Sequence, residues 1–168
     1  MCFTESCLAG MMLIMTSIDP LDARILLALD DDPDATTLAL SRQLGIARNT
    51  VQARLKRLSA DLRSFDQRVD PATLGHPLVA FLSLSISQAV GDAATDGLVR
   101  IPEVVEIHST TGDADLLVKV VARDTAHLYR VSTAILAVPG VQRSSTAISL
   151  AEQLPTRIRP LLEAAARA

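Results

Sequence analysis

Residues 36–58 read TTLALSRQLGIARNTVQARLKRL, and this segment leaves few folds open to the chain. Apolar residues recur at helical spacing on both sides of Gly45, a residue that favours a tight turn. The pattern predicts a short helix over about residues 37–44 and a second helix over about residues 48–58. Two helices joined by a Gly-containing turn form a helix-turn-helix, so the first third of the chain is predicted to be a small helical domain.

The two helices have predictable inward faces. Leu38 and Leu44 are expected to point into the core from the first helix, while Val51, Leu55 and Leu58 form the apolar stripe of the second. At 100° per residue, Leu55 and Leu58 lie within about 40° of Val51. One side of the second helix is therefore apolar, and its other side can carry polar residues.

The opposite face of the second helix carries side chains suited to nucleic acid. Asn49, Gln52 and Lys56 lie roughly 100–160° from Val51 around the helix and should face solvent. Asn and Gln can bind adenine edges through paired hydrogen bonds, and Lys and Arg reach guanine or phosphate. The helix contains no acidic residue to pair with its bases, and nearby phosphates would offset that repulsion. A basic stripe can equally be a solvated face, but the turn and the outward amides favour double-stranded DNA as partner. The predicted DNA-binding residues are Arg48, Asn49, Thr50, Gln52, Arg54, Lys56 and Arg57.

Charge is distributed unevenly around this segment. Residues 16–35 contain six acidic residues and one base, whereas residues 36–68 contain seven bases and two acidic residues. The formal net charge of −3 conceals this asymmetry. A further helix is predicted from Pro20, because Asp19 before a proline is a favourable helix start and Ile25 lies on an apolar stripe.

The rest of the sequence alternates between strand and helix patterns. HPLVAFLSLSISQ alternates apolar and polar residues as a half-buried strand does, and DAATDGLVRI suits a helix. EVVEIHSTTG and ADLLVKVVA predict two strands joined by a turn at residues 111–113. DTAHLYRVSTAILAV predicts a helix whose apolar side carries Ala126, Leu128, Val131 and Ile135. VQRSSTAISLA predicts a fourth strand. The order β-α-β-β-α-β is that of the ferredoxin-like fold.

We therefore predict an α+β protein with two small domains. Aromatic residues make up only 2% of the chain, so the cores must consist of Leu, Val, Ile and Ala. The predicted parts are a flexible extension (1–15), a helix-turn-helix domain (16–64), a connecting strand or hinge (65–76), an α/β body (77–154) and a tail helix (155–168) that is packed on the sheet or frayed.

The sequence gives little support to catalysis or metal binding. The two cysteines, Cys2 and Cys7, leave the body of the chain without a thiol. The three histidines, His76, His108 and His127, are dispersed, and none has metal-ligand spacing to another. Neither a nucleophile elbow nor a Gly-rich phosphate loop occurs in the sequence. We expect no catalytic residue, no metal and no cofactor.

Export and membrane insertion are not predicted either. The apolar run near the N-terminus follows Glu5 and lacks the preceding bases that a secretory signal needs. No stretch of the sequence is long and apolar enough to span a bilayer. The cysteine usage suits a reducing, cytoplasmic setting.

These motifs, in this order, resemble those of the Lrp/AsnC family, the feast-or-famine transcription regulators of bacteria and archaea. The resemblance covers residues 18 to about 154. It implies a winged helix-turn-helix domain followed by a ferredoxin-like effector-binding and oligomerisation domain, called the RAM domain. It also implies a homodimer that binds a pseudo-palindromic operator, often assembles to an octamer and responds to a small effector, commonly an amino acid. The matching segments are IDPLDARILLAL, LSRQLGIARNTVQARLKRL, VDPATLG, IPEVVEIHSTTGDADLLVKV and VPGVQRSST.

The resemblance places the effector near a short loop of the body. The effector-binding residues that it implies are Thr111, Gly112, Asp113 and Asp115. The chemistry suits an amino acid, because backbone amides near Gly112 can bind its carboxylate and Asp113 or Asp115 can bind its ammonium group. Taken on its residues alone, the same loop is a hairpin turn with solvated acids and with Gly112 at positive φ.

The chain departs from the family pattern in four places. Ala47 stands where members often have a Ser N-cap, which costs roughly 1 kcal/mol of capping. SADLRSF is two residues shorter than the usual wing or hinge, Ala114 replaces a frequent aromatic residue, and the first fifteen residues have no counterpart. The shortened hinge is expected to change the orientation of the helical domain, and Ala114 to change the ligand class or enlarge the effector pocket.

Two other functions stay open on the sequence. Siroheme decarboxylases resemble the same family in fold and use His and Arg residues, but such an enzyme has no use for the outward row of Asn49, Gln52 and Lys56. A sensor that no longer binds DNA is the other alternative, and the shortened hinge is its best support.

Overall fold

A computed structural model of the chain describes residues 18–87 and 91–168. Within those ranges no helix has both the length and the apolar character that crossing a bilayer requires. The helices and strands, in chain order, are α1 (Pro20–Asp31), α2 (Thr37–Leu44), α3 (Arg48–Leu58), β1 (Leu78–Ile86), α4 (Gly91–Val99), β2 (Val104–Ser109), β3 (Leu116–Ala122), α5 (Thr125–Leu136), β4 (Val141–Ile148) and α6 (Arg159–Ala165).

The described chain divides into two compact units. The first unit consists of the described residues up to Arg63 together with Pro155–Ala168. The second unit is Ser64–Leu154. Helices α1, α2, α3 and α6 form the first unit, and the four strands with α4 and α5 form the second. The chain therefore leaves the first unit once and later returns to it.

The first helix begins as its sequence predicts. Asp19 is the N-cap of α1, and Pro20 occupies the first helical position. The Asp22 backbone N–H donates to Asp19 Oδ1 at 2.8 Å, and the Asp19 N–H donates to Asp22 Oδ2 at 3.2 Å. This reciprocal capping box satisfies two amides that the helix itself leaves without partners.

The core of the first unit lies where α1, α2 and α3 meet. Ala28, Leu40 and Val51 are buried there and pack together. The prediction that Leu38 points inward is wrong, since Leu38 is 43% exposed and Leu40 is fully buried. Leu40 and Leu44 share the inner face of this short helix, whereas Leu38 lies about 160° from Leu40 around the axis.

The C-terminal helix packs on α1, so the expectation that it lies on the sheet is wrong. Its Arg159 guanidinium binds Asp30 at 2.6 Å and Asp31 at 2.9 Å. Arg159 also binds Glu163 of its own helix at 3.1 Å. Asp30 and Asp31 lie at the negative end of the α1 dipole, where acidic side chains are unfavourable and an arginine offsets the repulsion.

The second unit contains a four-stranded antiparallel sheet with strand order β2-β3-β1-β4. The strand pairs and the helices between them reproduce the predicted β-α-β-β-α-β order. On the inner face of β1, Leu82 and Leu84 are fully buried. They pack with β3 residues such as Val118 and with the inner side of α5. The apolar alternation in the sequence therefore marks the face that the helices cover.

The inner face of α5 differs from the prediction at one position. Leu128, Val131 and Ile135 are buried as expected, but Ala126 is exposed and His127 is buried instead, at 7% exposure. A buried histidine is tolerated when its ring nitrogens have partners, and the surroundings of His127 provide them.

The connector (residues 65–76), which belongs to the second unit, contains two short 3-10 helices, Phe65–Arg68 and Pro71–Leu74, and residues 59–77 contain no strand. The predicted connecting strand is therefore wrong for the single chain. Pro71 lacks a backbone donor, and the Asp70 side chain accepts from the Ala72 N–H at 2.9 Å, which starts a turn.

Candidate nucleic-acid interface and effector loop

The turn between α2 and α3 sets the start of the candidate DNA-binding helix. Gly45 ends α2 with φ 68°, a left-handed conformation that glycine adopts easily. The Ser41 hydroxyl donates to the Ile46 carbonyl oxygen at 2.7 Å, which closes the turn. Ala47 has the extended conformation of an N-cap, but its methyl group cannot accept a hydrogen bond from the first turn of α3.

The face of α3 opposite its buried stripe is exposed, as predicted. Val51 is fully buried and Leu58 is 1% exposed, so this side of the helix is packed against the rest of the unit. The amides and the lysine on the other side face solvent in the single chain. The exposed members of the predicted DNA-binding set are Arg48, Asn49, Thr50, Gln52, Lys56 and Arg57.

Two of the α3 bases have acidic partners on α1. Asp22 is fully buried, and its carboxylate binds Arg54 at 3.0 Å and also binds Arg57. Arg54 donates to Asp19 as well. The expectation that this helix has no acid to pair with is therefore wrong. The partners lie 32 or 35 residues earlier in the chain, outside the range of spacing rules within one helix.

These ion pairs separate the bases of α3 by role. The hydrogen bond from Arg54, together with the one from the Asp22 backbone N–H, holds the pKa of Asp19 below its ordinary value. Bonding to Asp19 and then to Asp22 raises the pKa of Arg54. The Arg54 side chain is 29% exposed, against 47% for that of Arg57. Arg54 thus joins α3 to α1 and is the base of this set least available to a ligand.

The predicted effector loop is an ordered turn between β2 and β3. Thr111, Gly112 and Asp113 are exposed, and Gly112 has φ 120°, which only glycine adopts readily. The Thr110 N–H donates to the Asp115 carbonyl oxygen at 3.0 Å, which closes the turn. The turn presents its backbone and the Asp113 side chain to solvent.

Asp115 has a structural role in this turn. Its carboxylate Oδ2 accepts a hydrogen bond from the Ile86 N–H at 2.8 Å. Its own N–H donates to the Leu84 carbonyl oxygen at 2.9 Å. Asp115 therefore fastens the loop to β1, and one of its two carboxylate oxygens is engaged by the protein.

A cavity of about 400 Å³ lies between α4 and β2, beside this turn. The sequence did not indicate it, because the periodicity of α4 and β2, although they are consecutive in the chain, does not show the space left between them. Ser109 and Leu116, at the two ends of the turn, both contribute to its lining. The other lining residues are Thr95, Val99, Val104, Val105, Glu106 and Ile107.

The structure also brings together residues that the sequence shows as dispersed. The rings of His76 and His127 lie 5.7 Å apart between centroids. Glu103 Oε1 lies 3.2 Å from His127 Nε2. His108 is not part of this group. It is exposed on β2, where its Nε2 lies 3.3 Å from Glu106 Oε2. Spacing along the chain could not reveal the first group, because each of its members belongs to a different part of the fold.

Comparison with known proteins agrees with this geometry. Residues 79–158 match the family described as Lrp/AsnC ligand binding domain, and residues 18–61 match winged helix-turn-helix DNA-binding. The HTH-type transcriptional regulator FL11 of Pyrococcus abyssi is 31% identical over 147 residues, which cover 86% of this chain and 97% of the relative. The chain belongs to the Lrp/AsnC family.

Solved structures of Lrp/AsnC proteins have the same architecture. AsnC of E. coli aligns with a TM-score of 0.75 at 27% identity, over 85% of this chain and 99% of that one. A feast or famine regulatory protein of M. tuberculosis complexed with L-methionine aligns with a TM-score of 0.73 at 25% identity, over 84% of this chain and 97% of that one. The predicted helix-turn-helix domain followed by a ferredoxin-like domain is confirmed.

As an Lrp/AsnC protein, the chain is a DNA-binding transcriptional regulator with a ligand-binding domain. Two of the features described above lie outside the matched ranges. Helix α6 begins after residue 158, and His76 falls in the segment between residues 61 and 79. Both features are therefore to be understood from this chain's own contacts.

Proposed function

We propose that this Lrp/AsnC protein binds double-stranded DNA as a homodimer through the outward face of α3, and that an amino-acid effector changes this binding. The supporting observation is the division of α3 into two faces. Val51 is buried, whereas Asn49, Gln52 and Lys56 are exposed on one side of the same helix. Amide side chains there can bind base edges, and the lysine can neutralise a phosphate.

The bases of α3 have different roles in this proposal. Arg48 and Lys56 contact phosphates and set the register of the helix on the duplex. Arg54 holds α3 in place, because Asp19 and Asp22 bind its guanidinium. Arg57 shares Asp22 with it but is more exposed, so it can reach a phosphate with part of its guanidinium. Thr50 is exposed in the first turn of α3 and can donate to the backbone of the DNA.

The proposed effector is an amino acid held at residues 111–115. A relative complexed with L-methionine supports this class of ligand. Asp113 would bind the ammonium group, and the backbone near Gly112 and Thr111 would bind the carboxylate. Asp115 would keep the loop in place through Ile86. The adjoining cavity has several apolar lining residues, which suits an aliphatic side chain.

The proposed assembly is a homodimer that associates further, to an octamer. Exposed apolar side chains on the second unit support it, since Tyr129 is 74% exposed and Leu136 is 48% exposed. An effector that binds one assembly better than another would change the spacing of the helix-turn-helix domains and thus the affinity for the operator. Such a regulator works where chromosomal DNA lies, in the cytoplasm.

The exposed α3 face favours this function over the two alternatives. A siroheme decarboxylase or a sensor that has lost DNA binding would have no need of a solvent-facing row of amides beside a lysine. The absorbance spectrum of siroheme mixed with the protein tests the first alternative. A gel shift with the DNA upstream of the neighbouring gene tests the second.

Fluorescence anisotropy tests the DNA-binding face with two duplexes. The specific duplex is taken from the DNA upstream of the gene that encodes this chain, and the other is a scrambled version of it. Lys56→Ala should weaken binding to both duplexes, because a phosphate contact carries no sequence information. In a dimer it should also reduce the slope of log K against log salt by about 2 units, near 0.9 for each phosphate that the lysine would neutralise. Gln52→Ala should weaken binding to the specific duplex by about tenfold and leave the scrambled one unchanged.

Arg130→Ala is the matched control, since Arg130 is an exposed base on α5 of the second unit. It should leave both the affinity and the salt slope as they are. If Lys56→Ala left the salt slope unchanged, this face of α3 would not be the part of the protein that contacts DNA.

A further inference from the structure

Among residues 18–87 and 91–168, one group of three side chains has the composition of a transition-metal site: His76, Glu103 and His127. His76 comes just before β1, Glu103 just before β2, and His127 lies in the first turn of α5, which follows β3. Because β1 and β2 are both antiparallel to β3, the starts of β1 and β2 and the end of β3 meet at one end of the sheet. The sheet topology therefore creates this group.

The distances within the group are those of ligands around one ion. One ring nitrogen from each histidine and one Glu103 oxygen all lie within 4.8 Å of one another. His127 Nε2 and Glu103 Oε1 are 3.2 Å apart. Two ligands of a tetrahedral zinc ion, each about 2.0–2.1 Å from the metal, are separated by about 3.3 Å. The pair thus has the separation of two neighbouring zinc ligands before any ion enters.

The hydrogen bond of His76 orients its ring for coordination. His76 Nδ1 lies 3.0 Å from the Leu74 carbonyl oxygen, which can only accept, so Nδ1 carries the proton. The lone pair of the neutral ring is then on Nε2. Histidines that bind metals commonly donate their second N–H to a carbonyl in this way, which fixes the tautomer.

His127 is arranged differently and must change its tautomer. The Arg123 N–H donates to His127 Nδ1 at 3.2 Å, so the neutral ring carries its proton on Nε2, towards Glu103. Coordination through Nε2 moves this proton to Nδ1, and the Arg123 N–H loses its acceptor. The loss of one hydrogen bond opposes metal binding, while the charge of the ion beside Glu103 favours it.

Burial strengthens the attraction between this carboxylate and a cation. His127 is 7% exposed, and the side chain of Glu103 is 21% exposed. Water competes poorly for a cation at such a depth, and electrostatic interactions are less screened than at the surface. His76 is half-buried, so an ion can still enter from its side.

We propose that His76, Glu103 and His127 bind one divalent transition-metal ion of the zinc class, with water as its fourth ligand. The ion links the connector, the start of β2 and the first turn of α5. The site is separate from the proposed effector loop, which lies at the other end of β2, six residues and about 20 Å away. Two imidazoles and one carboxylate suit Zn²⁺, Co²⁺ or Ni²⁺ and not Ca²⁺ or Mg²⁺, which prefer sites made of oxygen ligands alone.

Isothermal titration of the full chain with ZnCl₂ tests this proposal, in a background with Cys2→Ser and Cys7→Ser because thiolates also bind zinc. We expect one Zn²⁺ for each chain with a Kd of about 1 µM or tighter, and no heat with MgCl₂ or CaCl₂. Co²⁺ should give the visible absorption bands of a tetrahedral complex.

His76→Gln and Glu103→Gln should each weaken zinc binding by about tenfold or more, with an unchanged circular dichroism spectrum. Both side chains are more exposed than that of His127, whose loss from the core could itself unfold the unit. His108→Gln is the matched control, because His108 also pairs with a glutamate, Glu106, but on the exposed face of β2. It should leave zinc binding unchanged.

Two results would overturn the proposal. One is the absence of zinc binding at about 100 µM metal, far above the expected Kd. The other is the same stoichiometry and Kd in His76→Gln as in the parent protein. In either case the group is only a hydrogen-bonded pair, His127 with Glu103, that fastens α5 to the sheet. Neither result bears on DNA binding by α3, which the anisotropy experiment tests separately.

Discussion

Asp22 lies at the centre of the ion-pair cluster that joins α1 to α3. A fully buried carboxylate is stable only when its charge is matched and its oxygens have hydrogen-bond donors. Here the donors are the Asp19 N–H and the guanidinium groups of Arg54 and Arg57. From the sequence, Arg54 and Arg57 are both predicted to bind DNA. In the structure they also bind Asp22 and so help to position α3.

The Asp19 member of this cluster makes the stability of the first unit pH-dependent. Because its pKa is lowered on folding, its stabilising contribution is complete above the pKa of an unfolded aspartate, about 3.9, and is lost as the pH falls through the lower folded value. Asp19→Asn keeps a good N-cap but removes the charge. Its melting temperature should be several degrees below that of the parent protein at pH 7, and the gap should narrow below about pH 4.

Thermal melts between pH 2.5 and pH 7 measure this gap, with Asp34→Asn, a change at an exposed acid outside the cluster, as control. A constant gap at all pH values would show that the charge of Asp19 contributes nothing to folding.

The two acids of the effector loop should differ in their effects. Asp113→Asn removes the carboxylate proposed to bind the ammonium group of the effector. It should raise the Kd of the tightest-binding amino acid by about tenfold or more. Asp115→Ala should mainly lower the melting temperature, since it removes the acceptor of the Ile86 N–H. A thermal-shift screen of the twenty amino acids finds the ligand, because binding to the folded state raises the melting temperature by mass action.

Glu152→Gln, at an exposed acid remote in sequence from the loop, should leave the ligand response unchanged. Equal affinity in Asp113→Asn and the parent protein would place the ammonium site elsewhere.

How far the sequence can predict the site follows from the range of the interactions. The outward position of Asn49, Gln52 and Lys56 depends only on helical periodicity, and the structure agrees with it. The ion pairs of Arg54 and the meeting of His76 with His127 depend on which elements become neighbours. Such contacts between distant parts of the chain leave no spacing pattern, so they could not be predicted.

At the scale of single elements, α3 begins without a capping side chain, since Ala47 is its N-cap. Ala47→Ser supplies an acceptor for a first-turn amide in a backbone conformation that already suits it, and should stabilise the first unit by about 1 kcal/mol. Urea denaturation of the DNA-free protein measures the change. Ala53→Ser, in the exposed middle of the same helix, should instead destabilise it slightly, by about 0.5 kcal/mol.

If both variants changed the free energy of unfolding in the same direction, the missing cap would not limit the stability of α3. Ala53 is the closest control that the helix offers, because the chemical change is identical and only the position differs.

Elements with a clear period were predicted well, and those that depend on a neighbour were not. The β1 alternation and the α3 stripe predicted both the element and its buried face. The connector has strand-like residues, but in the single chain no neighbouring strand accepts its backbone hydrogen bonds, and Pro71 favours a turn. The docking of α6 on α1 depends on Arg159 and the acids at the end of α1, which periodicity does not describe.

At the scale of the whole molecule, the exposed side of α5 carries an apolar stripe. Tyr129 and Leu136 are seven residues apart and therefore within about 20° of each other around the helix. A double variant, Tyr129→Glu with Leu136→Glu, places charges on the proposed interface between subunits and should reduce the assembly mass by about twofold or more. Size-exclusion chromatography with light scattering gives that mass.

Ala134→Glu is the control, since Ala134 is exposed on the same helix but lies roughly 140° from Tyr129. It should leave the mass as it is. An unchanged mass in the double variant would mean that another surface of the second unit makes the contact.

The return of the chain to its first unit has a consequence for biosynthesis. Helix α1 leaves the ribosome early, but Arg159 becomes available to Asp30 and Asp31 only after the entire sheet has been translated. The nascent DNA-binding half must therefore persist through most of translation with those acids at the negative end of its first helix. A premature stop codon after Leu154 would remove Arg159 and would therefore alter the first unit, whose other helices are encoded before the sheet.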